Sequence, residues 1–429
     1  MTVLCLRPSL TGLVFLICYF GHHITAVHHL RDELDQVELH IDGTSLPDIH
    51  DTANIDAAPH HIFREFAAGL SSRTDLVKQD RASPEHVHEI MFGIQQRNTD
   101  VLTERLHDIS DPDSSNYGRH MTREEIEEIS SNPESRDAVV RYLEESGATV
   151  ISQSHHGEYV TAHAPISLWE ELLNTEFFLF HHTQPKSDVV AALVRAEKYS
   201  VPNDLHEHVA AVHNVVQMPL AIWGTPVMHG LNNNTGNIYS NVVTGFITPE
   251  KIKTYYDIVD NGQGSIRSTQ AVFETIGAYV SPEDLTHFQS RFNLTIQPVS
   301  QYIGGHVNDE ICTFMPAICG EPNLDVQYMM AVSEYSPTTH WYTDKNSFAD
   351  WLLEVANTVN PPLVISISYG AGEDTVTSGE FDAFNLQAIK LGLMGITILV
   401  SSGGKILSIY TTDDFWFVQI PSKLKSSFP

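Results

Sequence analysis

Two strongly apolar stretches near the C-terminal end constrain the fold of this chain more than any other feature. Residues 362–370 and 396–403 are rich in Ile, Leu and Val, and a segment typical of a helix, residues 378–393, lies between them. Strands that are apolar on both faces are typical of a parallel sheet that helices cover on each side. With residues 270–276 as an earlier strand, this part of the chain is predicted to form a doubly wound α/β sheet.

The part of the chain that begins near residue 83 has a different pattern. Short segments with alternating apolar residues are interleaved with amphipathic segments, some of which begin with capping residues. This order predicts a compact α+β domain with an antiparallel sheet. The predicted strands are residues 86–92, 148–151, 158–161 and 176–180, and the predicted helices begin near Asn98 and Thr122 or span residues 133–145 and 167–173.

The composition of the chain argues against two classes of binding partner. The 429-residue chain has a formal net charge of −30 at pH 7, which argues against nucleic acid and anionic membranes, because both attract clustered Lys and Arg. Protonation of all 24 His would bring this charge of −30 to −6. Such a surface suits a protein that moves between neutral and acidic compartments, and it is equally compatible with a protein that is merely soluble.

The N-terminal segment predicts entry into the secretory route. Residues 1–26 contain a single positive charge at Arg7, an apolar run over residues 10–20 and small residues at the end, as a signal peptide does. The apolar run is too short to span a membrane, and no later stop-transfer segment follows. Residues 27–82 are polar, acidic and rich in His without sustained periodicity, and they are predicted to be a weakly ordered leader.

Removal of the signal peptide would leave two cysteines, Cys312 and Cys319. In an oxidising lumen these two could form a disulfide that closes a small loop, and reduced, buried thiols are the alternative. Sequons for N-glycosylation begin at Asn233 and Asn293, which fits a lysosomal or extracellular destination.

The strongest candidate for chemistry is a pair of acidic residues, Glu321 and Asp325. If the segment around them is helical, as the run through residue 331 indicates, both side chains project from one face. Two carboxylates so close cannot both ionise readily, so one is expected to keep its proton in mild acid while the other stays an anion and serves as a general base. The alternative is a pair that only caps a solvated helix.

Residues 83–217 contain the segments Asp111-Pro112, Tyr117-Gly118-Arg119-His120-Met121-Thr122, Glu176-Phe177 and Tyr199-Ser200-Val201-Pro202. In these segments they resemble the activation domain of the sedolisin family, the serine-carboxyl peptidases. In that family such a domain covers the active site of the precursor and is removed in acid. Residues 218–246, rich in Gly and Asn, would then be an accessible linker.

Residues 247–403 resemble the N-terminal part of the sedolisin catalytic domain. Glu321 and Asp325 fall on the family's motif of Glu and Asp separated by three residues, and Ser368-Tyr369-Gly370 falls on a second motif. The resemblance implies an incomplete subtilisin-like α/β domain. In it Glu321 would accept the proton of a serine hydroxyl, and Asp325 would hydrogen-bond to Glu321 and hold it in place.

Other parts of the family's site have no counterpart in the sequence. Gly404 stands where relatives have an aspartate that stabilises the oxyanion, and no nucleophile serine in the family's context follows it. Calcium is expected in full-length relatives, and no cofactor is expected in this chain. Residues 404–429 are unlike the family and are expected to be intron read-through or a truncated gene model, with a genuine short isoform as the alternative.

These observations predict the precursor of an acid serine-type peptidase, either an endopeptidase or a tripeptidyl aminopeptidase, that is inactive as written. Its partners would be peptide substrates and its own activation domain. One alternative is a non-catalytic protein that binds and restrains an intact relative, and another is a plain subtilisin-like fragment without acid chemistry. Residues 247–429 alone are expected to be poorly soluble, because the strand near residues 396–400 would have an unpaired edge.

Overall fold

A computed structural model describes residues 4–6, 61–154, 156–183, 192–219, 247–258, 264–344, 347–370 and 375–401. Its strands are β1 (Leu4–Leu6), β2 (His61–Phe66), β3 (Leu76–Arg81), β4 (Val87–Ile94), β5 (Thr149–Gln153), β6 (Tyr159–Pro165), β7 (Phe177–His182), β8 (Ala192–Ala196), β9 (Lys198–Pro202), β10 (Val209–His213), β11 (Gln270–Glu274), β12 (Gln301–Ile303), β13 (Thr338–Tyr342), β14 (Val364–Ile367) and β15 (Thr397–Ser401). Its helices are α1 (Thr99–Ser110), α2 (Arg123–Ser130), α3 (Pro133–Glu145), α4 (Ile166–Leu172), α5 (Pro249–Tyr255), α6 (Pro282–Arg291), α7 (Asp309–Phe314), α8 (Gly320–Val332), α9 (Phe348–Asn357) and α10 (Ser378–Leu393).

The N-terminal domain is the predicted α+β fold. Its largest sheet has the antiparallel order β10-β4-β6-β5. A second antiparallel sheet pairs β2 with β9, and a third has the order β3-β7-β8. Side chains from these sheets and from α3 and α4, including Phe92, Val139 and Trp169, form one buried core.

The ordered part of this domain begins earlier than the sequence prediction places it. Strands β2 and β3 lie in residues 61–81, inside the segment predicted to be a weakly ordered leader. Their sequences lack a regular alternation of buried and exposed residues, so a pattern of period two could not reveal them. The leader prediction is therefore wrong for its last third.

Capping residues were predicted at two helix starts in this domain, Asn98 and Thr122, and the structure confirms the second. Thr122 and Glu125 form the reciprocal capping box of α2, and Pro133 takes the first turn of α3 behind an Asn132 cap. Asn98 instead has a left-handed backbone (φ 51°), makes no capping hydrogen bond and donates its amide to the Ile129 carbonyl oxygen. The Asn98 side chain thus ties α1 to α2.

The second domain contains the predicted parallel sheet. Its strands run in the order β1-β15-β14-β11-β13-β12, and each pair that is hydrogen-bonded is parallel. Helices α9 and α10 bury side chains such as Trp351 and Leu391 against one face, while α6 and α8 bury Leu285 and Val326 against the other. Both faces are covered, as near-continuous apolar strands require.

The expected unpaired edge at β15 is occupied in the structure. Leu4–Leu6 lies beside β15 in parallel register, and α10 packs on the same strand. The strand β1 belongs to the predicted signal peptide, so the edge is covered only in a chain that carries these residues. The predicted unpaired edge and poor solubility of residues 247–429 alone stay a prediction, because that segment lacks β1.

The two domains meet along α10. Leu102 and Leu106 of α1 and Ile126 of α2 join Leu393 of α10 in one apolar cluster. None of the helices in the described ranges is long and apolar enough to cross a membrane.

Candidate active site

Helix α8 carries the predicted carboxylate pair, and a disulfide fixes its beginning. Cys312 at the middle of α7 is bonded to Cys319, with a distance of 5.6 Å between the two Cα atoms. Cys319 is the N-cap residue of α8 and lies two positions before Glu321. The structure therefore selects the disulfide over the reduced thiols that the sequence left as an alternative.

Glu321 and Asp325 lie one turn apart on α8 and interact electrostatically, as predicted. Burial raises the pKa of Glu321 to about 7. Burial, with a smaller contribution from the charge of Glu321, raises the pKa of Asp325 to about 8, while a hydrogen bond from Ser368 opposes this increase.

These pKa directions correct the expected electrostatics in one respect. Repulsion between the carboxylates was expected to divide the pair into one acid and one anion. Loss of solvation is the larger effect, and it raises both pKa values. Within the described residues, neither carboxyl is held ionised in acid, so a working base needs a further hydrogen-bond donor beside Glu321.

A third carboxyl group, Glu274, completes the cluster, and sequence reasoning missed it. Glu274 is the last residue of β11 and is fully buried, and the Tyr369 hydroxyl donates a hydrogen bond of 2.6 Å to its Oε2. Burial and then the charge of Asp325 raise its pKa well above the ordinary value. The only sequence signal was an acidic residue at the end of an apolar strand.

The cluster has unused hydrogen-bonding capacity. Glu274 Oε1 and Asp325 Oδ2 are both shielded from solvent and have no hydrogen-bond partner among the described residues. Unpartnered buried oxygens are costly and are most easily tolerated when the carboxyl groups are protonated. The carboxyl groups can therefore take up and release protons next to Glu321. They lie at the carboxyl ends of β11 and β14, where ligands of parallel sheets usually bind.

The backbone after Glu274 is strained. Ile276 has a φ of 56°, a conformation that β-branched residues rarely adopt. The amide of the next residue, Gly277, donates a hydrogen bond of 3.0 Å to the Tyr342 hydroxyl oxygen, which holds the turn. Such outliers are concentrated at functional sites.

The remaining predicted sites have mixed outcomes. Asn293 is exposed just after α6, and Thr295 of the same sequon is exposed as well. Asn233 and Gly404, and the segment in which a nucleophile serine was sought, lie outside the described residues. In the part of the chain that the structure describes, no group of three or more His, Cys, Asp or Glu could hold a metal ion. Calcium in full-length relatives stays a prediction.

Comparisons with known proteins support the resemblance seen in the sequence. A family model for the pro-kumamolisin activation domain matches residues 74–218. The chain is related to the sedolisin peptidases. Physarolisin of Physarum polycephalum is 30% identical over 79% of this chain and 58% of its own length. Tripeptidyl-peptidase 1 is 28% identical in Dictyostelium discoideum, over 73% of this chain and 56% of the relative, and 26% identical in Mus musculus, over 82% and 61%.

The chain spans about 56–61% of the length of these relatives. The match to the activation-domain family begins at residue 74, ahead of the predicted boundary at residue 83 and within the range of the early strands β2 and β3. The sedolisin relationship and the order of an α+β activation domain before a partial α/β domain are confirmed.

Proposed function

We propose that this chain is part of the precursor of an acid serine-carboxyl peptidase. The observation that carries the proposal is the buried, coupled pair of Glu321 and Asp325 at the carboxyl end of the parallel sheet, in a chain with a sedolisin-type activation domain. A solvated helix surface would not raise the pKa of two neighbouring carboxyls in this way. The capping interpretation of the pair is also disfavoured because α8 begins at Gly320 without a side-chain cap.

In the proposed mechanism Glu321 accepts the proton of a serine hydroxyl while the oxygen attacks the peptide carbonyl carbon. Asp325 shares a proton with Glu321 and holds its carboxyl group, and Ser368 orients Asp325. Glu274, which accepts a hydrogen bond from the Tyr369 hydroxyl, interacts electrostatically with Asp325. The serine hydroxyl would supply the donor beside Glu321 that lowers its pKa towards acidic pH. We further propose that the chain as given does not hydrolyse peptides by itself. The nucleophile serine would come from another part of the polypeptide.

The test begins with the complete transcript, whose sequence shows whether a serine-containing segment follows the α/β domain. The protein it encodes is then assayed at about pH 4 on a fluorogenic tripeptide amide with a free amino terminus and on the same peptide acetylated. Cleavage of only the free peptide indicates a tripeptidyl aminopeptidase, and cleavage of both indicates an endopeptidase. Glu321→Gln should reduce kcat at least about 100-fold, as loss of a general base does. Full activity of Glu321→Gln would refute the assignment.

The rival function, restraint of an intact relative, is tested with the chain as printed. Added to physarolisin at acidic pH, a restraining protein would inhibit it in proportion to its concentration, whereas a precursor fragment would not.

We also propose passage through the secretory route to lysosomes or the exterior. The exposed sequon at Asn293 and the disulfide between Cys312 and Cys319 support this destination. A deglycosylating enzyme should increase the gel mobility of the secreted protein, and Asn293→Gln should remove a corresponding part of that shift.

A further inference from the structure

A lysine of α10 has its charged end buried against the activation domain. Lys390 lies in the last turn of α10 and is only 7% exposed, whereas lysines are almost never buried unless they are paired. Its ammonium group donates a hydrogen bond of 3.1 Å to Gln96 Oε1 and another to Glu158 Oε1. Gln96 and Glu158 are buried as well. The interdomain ion pair of Glu158 and Lys390 is therefore removed from water on both sides.

The activation domain holds the two acceptors in place through its own backbone. Gln96 follows β4 by two residues, and Glu158 directly precedes the neighbouring strand β6. The Ile94 amide donates a hydrogen bond of 2.7 Å to the Glu158 carbonyl oxygen, and the Glu158 amide donates one of 2.9 Å to Ser154 Oγ. Gln96 Nε2 donates to the Ile94 carbonyl oxygen, which leaves Gln96 Oε1 to accept from Lys390.

Further buried contacts between the domains surround the ion pair. Leu393, three residues after Lys390, packs in an apolar cluster with Ile126 of the activation domain. Gln387, three residues before Lys390, is hydrogen-bonded to the side chain of buried Tyr159. Because these contacts exclude water, the charges of the pair are stabilised by each other and by their hydrogen bonds rather than by solvent.

Other charged groups beside the ion pair have partners of their own. Arg123 and His156 line the same cavity as the pair. Arg123 donates a hydrogen bond of 3.1 Å to the Thr358 carbonyl oxygen, and His156 Nδ1 lies 2.6 Å from Glu127 Oε2. Among the described contacts, the ammonium group of α10 is thus the cation that the buried carboxylate contacts.

A buried pair of this kind discriminates strongly between partners. A neutral residue in place of Lys390 would leave the Glu158 charge buried without its cation, and an acidic residue would place two carboxylates together. We propose that Gln96 and Glu158 form a recognition site through which the activation domain accepts only second domains with a cation at the position of Lys390.

The partners that this recognition site fits are the peptidase domain of the same chain and, for the rival function, an intact relative with a lysine at the matching position. The inference rests on the proposed function only in taking the two domains as parts of one precursor.

Hydrogen–deuterium exchange of the whole chain at about pH 7 tests the proposal without any enzymatic readout. The reporter is the amide of Met121, which donates a hydrogen bond of 2.8 Å to the Leu393 carbonyl oxygen of the second domain. The reference is the amide of Gly118 in the same loop, which donates one of 2.9 Å to Ile109 within the activation domain. Separation of the domains exposes the first amide and leaves the second one bonded.

Glu158→Gln and Lys390→Met should each increase the exchange rate of the Met121 amide at least about 30-fold, as expected when one partner of a buried ion pair is lost. The Gly118 amide should keep its wild-type rate. In the double variant the increase should be at least about tenfold smaller than the product of the two single effects, because the two side chains act on each other. Adding Glu158→Lys to Lys390→Glu should likewise recover at least about tenfold, because the charges are again complementary.

The matched control is Lys253→Met, which removes an ion pair of 3.1 Å with Glu334 inside the second domain. It should leave the exchange rate of the Met121 amide unchanged. If Lys390→Met does not fold, as judged by circular dichroism, Gln96→Met takes its place. That variant removes the neutral acceptor alone and should increase the rate about fivefold.

The proposal would be overturned by a wild-type rate at Met121 in either single variant, by single effects that simply multiply in the double variant, or by equal acceleration at Met121 and Gly118. None of these results depends on peptide hydrolysis. Failure of the proposed peptidase function is read separately, from the kinetics of Glu321→Gln.

Discussion

The buried position of Asp325 predicts an unusual dependence of stability on pH. The pKa of this carboxyl is raised from 3.8 to about 8, so the folded state binds its proton more tightly than the unfolded state. Stability from this group is fully present below about pH 4 and is lost as the pH rises towards about 8. Between about pH 4 and pH 7 the stability changes by about 1.4 kcal/mol per pH unit over about three pH units, or by about 4 kcal/mol in total.

Asp325→Asn removes this titration with little change of shape. The free energy of unfolding of the wild type should therefore fall by about 4 kcal/mol more than that of the variant between about pH 4 and pH 7. Loss of the charge at Asp325 should also lower the pKa of Glu274, which reduces the slope further in the variant. Urea unfolding followed by pulsed hydrogen exchange in residues 320–332 reports this quantity for α8 itself.

The control is Asp113→Asn, a change at an exposed residue of the activation domain. Its pH profile should follow that of the wild type. Parallel profiles for the wild type and Asp325→Asn would refute the reasoning, because they would mean that the folded and unfolded states bind the Asp325 proton equally well.

Three further changes test separate contacts. Tyr369→Phe leaves both oxygens of buried Glu274 without a donor and should lower the free energy of unfolding by about 1–3 kcal/mol, measured by urea titration at about pH 7. Replacing Cys312 and Cys319 together by Ser should lower the free energy of unfolding by about 2 kcal/mol, since the loop that the disulfide closes is short. An equal loss in the reduced wild type would show that the missing disulfide is the cause. Thr122→Ala should cost about 1 kcal/mol in thermal unfolding of the activation domain through loss of the capping box, and an unchanged Tm would contradict that role.

Several elements could be predicted closely because their signals are local. Helices α3 and α10 have the bounds that the sequence predicts, since each begins with a capping residue and ends where the periodicity stops. Strand β14 lies within a predicted apolar run for a similar reason. Strand β13 and helix α9 were not predicted, although both are well buried. The strand is short, and the helix lies between two segments whose sequence patterns are stronger.

The sequence alone places Glu321 and Asp325 on one face of a helix, because a spacing of one turn follows from local backbone geometry. That Glu274 joins them depends on the tertiary fold. Its contact with Tyr369 links residues far apart in the chain, through strand pairing that no local pattern encodes. Burial, which exists only after that packing, is also what raises the pKa values of the carboxyl cluster.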